Sequence, residues 1–341
     1  MVHSHGSTES SVDISGGGRL AVDGILVLLK PPGLTSHDVV DLVRTVTGQR
    51  RVGHAGTLDP GAAGVLVLLL GQAVRLSEYL MAYSKIYRAE MTLGMSTDTQ
   101  DGFGRVLFRR EVPPLDRQLL QDTLTGFIGD IQQTPPAFSA VKKGGRRLYE
   151  LARAGEMTSV APRTVSIYQI QLLEISPGPF PRILFDVHCS RGTYLRTLCA
   201  DIGERLGVGG HLSFLLRLAS GSFDLSQAIT LEEMVSLGHA AELTGRLVPM
   251  AQALAQWPTL AVSREEEEKV LKGGSLWREA KGEGSYWSTV SEAWAIGRTK
   301  GSELIKICSN TGHLLALAGV EERPGGYLFR MRKVLRGEIE R

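Results

Sequence analysis

The run Gly53-His54-Ala55-Gly56-Thr57-Leu58-Asp59-Pro60 constrains this chain more than any other stretch. One aspartate stands between a glycine-rich turn and a proline, and an apolar run, Val65 to Leu70, opens a few residues later. That placement holds a single carboxylate at the mouth of a fold, where loops on a rigid scaffold carry chemistry. An Asp in such a loop can also do no more than bond its own backbone in a turn. The loop alone leaves both readings open.

Length and composition bound the answer. At 341 residues the chain has room for a large core and more than one domain. A hydrophobic share of 43% and a charged share of 22% are ordinary for a soluble globular protein. No apolar run approaches the roughly 20 residues of a membrane span. The start of the chain is Ser/Gly-rich without an apolar signal core, so a cytoplasmic location is expected. Cys189, Cys199 and Cys308 lack metal-ligand spacing and read as reduced thiols.

Net charge is only +2, so distribution carries the information. Lys142, Lys143, Arg146, Arg147 and Arg153 crowd one segment against Glu150. Arg323, Arg330, Arg332, Lys333 and Arg336 form a second cluster. Local basic patches on a near-neutral body suit a nucleic acid held on one face, and solvated basic faces are the plainer alternative.

Residues 1–20 read as a disordered tail, and a composition shift near residues 250 to 258 separates a larger part, 21–250, from a smaller one, 251–341. Ile25 to Leu29 reads as a buried strand, and Thr35-Ser36 as the cap of an amphipathic helix over 38–47. Strands are expected at 87–93 and 183–189, and a helix over 195–206 that stops at Gly207. Helices and strands interleave without a βαβ rhythm, which favours α+β. Beyond Trp257-Pro258 short strands separated by glycine, at 293–297, 314–319 and 326–329, predict a small β-barrel. Glu265 to Glu268 is the polar side of a helix.

Several chemistries lose support. His37-Asp38-Val39-Val40-Asp41 lies on the amphipathic helix without further ligands. Asp98-Thr99-Gln100-Asp101-Gly102 lacks the downstream Glu of a calcium loop. No P-loop, HExxH or zinc-deaminase pair is present. The expected chemistry uses side chains alone, with no metal and no organic cofactor.

Further segments complete the pattern. They are Lys30-Pro31-Pro32-Gly33-Leu34-Thr35-Ser36, Lys85-Ile86-Tyr87-Arg88-Ala89-Glu90, Ser190-Arg191-Gly192-Thr193-Tyr194-Leu195-Arg196-Thr197, and Gly209-Gly210-His211-Leu212 through Leu215. With the Asp59 loop, and with the segments 134–142 and 145–152, they resemble in order the bacterial tRNA pseudouridine-55 synthases. The resemblance runs from about residue 24 to 340, and the C-terminal part is similar to the PUA domain, an RNA-binding barrel. It implies a pseudouridine-synthase α+β fold with a mixed, mainly antiparallel central sheet.

The implied reaction moves ribose from N1 to C5 of a flipped-out uridine 55 in the tRNA T-loop. An ionised carboxylate can attack and leave again, splitting one hard step into two. A guanidinium close by keeps it ionised and in place, and the base must leave the RNA stack. The resemblance assigns Asp59 as nucleophile at C6 or C1′, Arg196 as its partner, and Tyr87 as the ring on the base that helps move a proton. It puts Tyr194 on the nucleotide, Leu215 in the uracil pocket, Lys30 in electrostatic support, and His54 as a wedge in the opened RNA loop. Lys142, Arg146 and Arg147 lie in the segment that covers the RNA. The tRNA T-stem-loop is the implied partner, bound by a monomer needing no membrane and no obligatory protein. A guide-RNA enzyme acting on ribosomal RNA, and an RNA-folding protein whose modification is secondary, are the rivals.

Overall fold

The computed structural model describes residues 22–139, 141–156, 158, 160–238, 243–279 and 304–335. The expected tail, the segment 293–297 and Arg336 lie outside these residues.

Strand Gly24–Lys30 pairs antiparallel with Ala63–Leu70, and period-2 alternation assigns their side chains to opposite faces. Ile25 and Val27 share one cluster with Val65, Val67 and Leu69. Leu26 and Leu28 share another with Leu66, Leu68 and Leu70. Both faces are covered, which is why these segments read as continuous apolar runs. Helix Ser36–Thr47 covers the second face with Val39, Val40 and Val43. It starts two residues before the sequence-based expectation, with Thr35 as cap. Thr35 Oγ1 accepts from Asp38 N at 3.1 Å and Asp38 Oδ2 accepts from Thr35 N at 2.8 Å, a capping box. Asp38 is thereby engaged at the helix start, and Asp41 pairs with Arg44 at 2.9 Å.

The main sheet runs in the order Gly24–Lys30, Ala63–Leu70, Gly210–Ser220, Lys85–Leu93, Arg182–Cys189, Arg163–Ser176, Gly129–Gln133. Every neighbouring pair on this path is antiparallel except Gly210–Ser220 beside Ala63–Leu70, where Leu216 faces Ala63 and Arg217 faces Gly64. That approach is tight. Gly64 has φ +115°, and a Cβ there would lie 2.3 Å from Arg217 O, so only glycine fits. Helices Arg117–Thr125 and Leu195–Arg205 close a further core, bringing Leu120, Leu124, Leu198, Cys199 and Ile202 against Met91, Ile183, Phe185 and Val187. The second helix ends at the expected place, with Gly207 at φ +73° just beyond it.

The C-terminal strands form a five-stranded half-barrel in the order Thr259–Val262, Leu304–Ser309, Leu314–Arg323, Gly326–Val334, Leu276–Glu279. Its Cys308, Leu314, Leu317 and Leu335, with Ala253 and Leu254, cover Ile25, Val27 and Val67 of the main sheet. The fold is α+β with a mixed, mainly antiparallel sheet and an appended PUA-like half-barrel. No helix among the described residues is long and apolar enough to cross a membrane. The three cysteines are buried free thiols.

Candidate active site

The loop from Ala55 to Ala62 hangs between strands Val52–His54 and Ala63–Leu70, held from several sides. Ser36 Oγ accepts from Leu58 N at 2.9 Å and donates to Leu58 O at 3.2 Å. Gly33 N donates to Pro60 O at 2.8 Å, and Ala62 N to Asp59 O at 3.0 Å. Lys30, fully buried, donates from Nζ to Pro31 O, Leu34 O and Pro60 O at 2.8, 2.6 and 3.3 Å. These bonds immobilise the backbone on either side of Asp59 and leave its side chain 47% exposed.

Arg196, on the first turn of helix Leu195–Arg205, meets that carboxylate. Its side chain is 5% exposed and its Nε lies 2.9 Å from Asp59 Oδ2. The N–H does not align with the oxygen, so the contact is an ion pair and Nε is a buried donor without a hydrogen bond. The rest of the guanidinium is anchored by Thr99 O at 3.2 Å and Phe138 O at 2.9 Å, with Asp101 Oδ2 3.8 Å from Nη1. One arginine thus joins the Asp59 loop, the 98–104 loop and the segment leading to the basic hairpin.

Arg217 is the second organiser. It is 1% exposed, and donates from Nε to Val65 O at 2.7 Å, from Nη2 to Gly56 O at 3.1 Å and from Nη1 to Thr57 O at 3.4 Å. Burial pushes the Tyr87 hydroxyl above the usual tyrosine pKa; Arg217 opposes this and Asp59 adds to it. The hydroxyl therefore stays protonated at neutral pH. His54 accepts from Gly56 N at 3.3 Å through Nδ1, and burial, with Arg217 and His37, lowers its pKa, which favours the neutral imidazole. Lys85, also buried, donates to Met81 O at 2.7 Å and Tyr83 O at 2.5 Å, its pKa brought down to about 8 mainly by burial. Four buried cations, Lys30, Lys85, Arg196 and Arg217, lie in this part of the fold, with Asp59 and Asp101 on Arg196 and Asp59 and Asp38 acting on Lys30. Such an excess favours an anionic ligand.

Leu215 is buried in the cluster that holds Leu58, Ala62 and Ala89, with Tyr87 packed against it, so the apolar wall lies beside the Asp59 loop. Tyr194 caps the Arg196 helix. Its backbone exchanges hydrogen bonds with the Gln133 amide at 3.0 and 3.2 Å, and Arg163 sits over its ring at 5.2 Å. Lys142–Lys143 and Arg146–Arg147 form a small exposed hairpin around Gly144 and Gly145, whose φ values are +59° and +86°. Arg146 is engaged with Glu156 at 3.0 Å, and Arg147 stacks its charge over Tyr149.

The C-terminal basic cluster is less available than charge counting suggests. Arg323 and Arg330 both pair with Glu321, at 3.0 and 2.7 Å, and Lys333 pairs with Glu78 across the contact between the two sheets.

Asp101, Lys85 and Arg217 carry no assigned role in the sequence reading. Arg217 is the one charge in the apolar run Leu212 to Ala219, a signal that could have flagged it. Asp101 lies in the loop set aside as a poor calcium site. Its approach to Arg196 depends on a residue 95 positions away and leaves no local trace.

Residues 44–195 match the TruB family pseudouridylate synthase (N terminal domain), and 196–255 match the tRNA pseudouridylate synthase B C-terminal domain. The class is that of the pseudouridine synthases, which are isomerases. The chain is 52% identical over 252 residues to tRNA pseudouridine synthase B of Symbiobacterium thermophilum, covering 74% of this chain and 82% of that one. It is 45% identical over 317 residues to tRNA pseudouridine synthase B of Moorella thermoacetica, covering 92% and 100%. Among solved structures, a Cbf5-Nop10-Gar1 complex matches with a TM-score of 0.68 at 27% identity, over 92% of this chain and 85% of that one. An H/ACA RNP bound to a substrate RNA containing 2'-deoxyuridine matches with a TM-score of 0.66 at 25% identity, over 93% and 86%. The chain belongs to the TruB family of pseudouridylate synthases.

Lys30 makes the site sensitive to pH. Burial lowers its pKa to about 8, with Asp59 raising and Arg217 further lowering it. Below about 8 it is an ammonium with a donor for each of its three carbonyls; above, charge and one donor are lost. Turnover is therefore expected to fall as pH rises through about 8. A pH–rate profile of Lys30→Met should lack that limb, on a lowered plateau. A limb retained in the variant would assign it to Lys85 instead.

Proposed function

We propose that this protein isomerises uridine 55 in the T-loop of tRNA to pseudouridine, with Asp59 as nucleophile. The observation that carries the reading is the Arg196–Asp59 pair at 2.9 Å, on a loop clamped through Lys30, Ser36 and Arg217. The carboxylate is open to solvent on one side and charge-paired on the other, as a nucleophile that must attack and leave again requires. It attacks uracil C6 or ribose C1′. The N1–C1′ bond breaks and the C5–C1′ bond forms, the bond to Asp59 breaks to return the free carboxylate, the C5 hydrogen leaves as a proton, and N1 ends protonated. Tyr87 packs on the base and, being protonated at neutral pH, serves in proton relay rather than as an open base. Leu215 closes the apolar side of the uracil pocket, Tyr194 meets the nucleotide, and neutral His54 fills the space the uridine vacates.

The unit 21–250 does this chemistry and 251–341 adds RNA contact, in the cytoplasm, as a monomer needing no protein partner. Relatives at 45% and 52% identity are tRNA pseudouridine synthase B, whereas the H/ACA RNP and the Cbf5-Nop10-Gar1 complex stand at 25% and 27%, which favours free tRNA as the substrate.

The decisive experiment is tritium release from tRNA labelled at uracil C5, with no other protein added. Release that vanishes when the T-loop uridine is replaced supports the reading. Release that persists, or that requires a guide RNA, overturns it. Binding should also weaken steeply with salt. Replacing Lys142, Arg146 and Arg147 by Ala should lower the log–log salt slope by about 2 to 3. An unchanged slope would remove the hairpin from the interface.

A further inference from the structure

The loop between strands Met95–Thr97 and Val106–Arg109 is rigidly built. Asp101 Oδ1 accepts from Thr99 Oγ1 at 2.6 Å and from Phe103 N at 3.0 Å. Asp98 Oδ1 accepts from Arg105 N at 2.8 Å, and the loop exchanges backbone bonds with Leu212 at 3.1 and 3.0 Å. Gly104 admits no side chain, since a Cβ there would lie 2.2 Å from Thr99 Oγ1. On this fixed loop Phe103 is 82% exposed. Its ring edge lies over Gly61, where a Cβ would come within 2.2 Å of Phe103 Cε2.

Gly61 is two residues beyond Asp59, and the same loop holds the Arg196 that pairs with Asp59. A bare aromatic face therefore stands at the lip of the cleft, with the exposed Arg105 two residues on. It buries little against the protein, so its apolar area stabilises the fold little. Rings held rigidly beside cations are how proteins stack unpaired bases.

Resting on the proposed function, we infer that Phe103 is a stacking wall for a base adjoining the extruded uridine, and so a positioning residue for the reaction. Its ring takes up the stacking that the neighbouring base loses when the uridine leaves the loop. The flat face does this, not apolar bulk alone.

The test uses the full-length protein and a T-stem-loop RNA with 2-aminopurine beside the target uridine. Phe103→Ala and Phe103→Leu should each raise Kd and KM about 5- to 150-fold, the range that loss of one stacked base implies. The rate within the saturated complex should fall far less. Quenching of 2-aminopurine on binding should be lost in both variants and restored in Phe103→Trp. A Leu variant that matches wild type in Kd and quenching, or an Ala variant with unchanged Kd, overturns the inference. If the wild type itself released no tritium from C5-labelled RNA, the proposed function would fail separately. Kd and quenching would still decide the role of Phe103.

Discussion

Asp59→Ala is expected to reduce tritium release from C5-labelled tRNA at least about ten-thousandfold, with RNA binding kept within about threefold. The magnitude follows from the scarcity of substitutes. Asp101, the other carboxylate on Arg196, is held by Thr99 and by Phe103 N, and lies at the far nitrogen of the guanidinium. It cannot reach a base placed against Asp59 without breaking those bonds. Folding should survive, because Arg196 keeps Thr99 O, Phe138 O and Asp101. Asp59→Asn preserves shape while removing charge, and should be as inactive. An Asn variant that releases tritium near the wild-type rate would end the nucleophile assignment. One that rescues a deletion strain without releasing tritium would favour an RNA-folding role.

Arg196→Met carries the second large effect, and it strikes stability and chemistry together. The guanidinium, 5% exposed, satisfies two backbone carbonyls and faces two carboxylates. Removing it strands those two carbonyl acceptors, at about 1–3 kcal/mol each, while Asp59, 47% exposed, is rehydrated. Activity should fall about a thousandfold or more, because Asp59 loses both its position and its counter-charge. Arg196→Lys separates the two effects. A single ammonium cannot meet partners on three loops at once, so it should recover stability, read as the urea midpoint, better than turnover. Near-wild-type turnover in the Lys variant would mean that charge alone matters and the fork geometry does not.

Much of this architecture was legible because its causes are local. The continuous apolar runs in 24–30 and 63–70, the capping residues Thr35 and Asp38, and the apolar face of the helix after them each involve residues a few positions apart. The Asp59 loop could be singled out for the same reason. Family motifs extended this to Tyr87, Arg196 and Leu215, which the fold brings to one cleft although they lie far apart in the chain. Charge counting failed at the C-terminus. Glu321 and Glu78 pair with cations there, and Glu78 comes from helix Ser77–Met81, more than 250 positions away.

By itself, then, the sequence determined the strands near 25–29, 87–93 and 183–189, the capped helix after Thr35, the helix that stops before Gly207, and the carboxylate that stands in a loop. Only the tertiary structure decided how that carboxylate is held. Arg217 reaches the carbonyls of Gly56 and Thr57 from about 160 residues away, Asp101 meets an arginine 95 positions further on, and Lys30 reaches across to Pro60 O. A buried cation finds its acceptors in whatever backbone the fold brings near, and backbone carbonyls are the same at every position. Periodicity reports which face of an element is apolar; it holds no record of which distant loop will close over a charge.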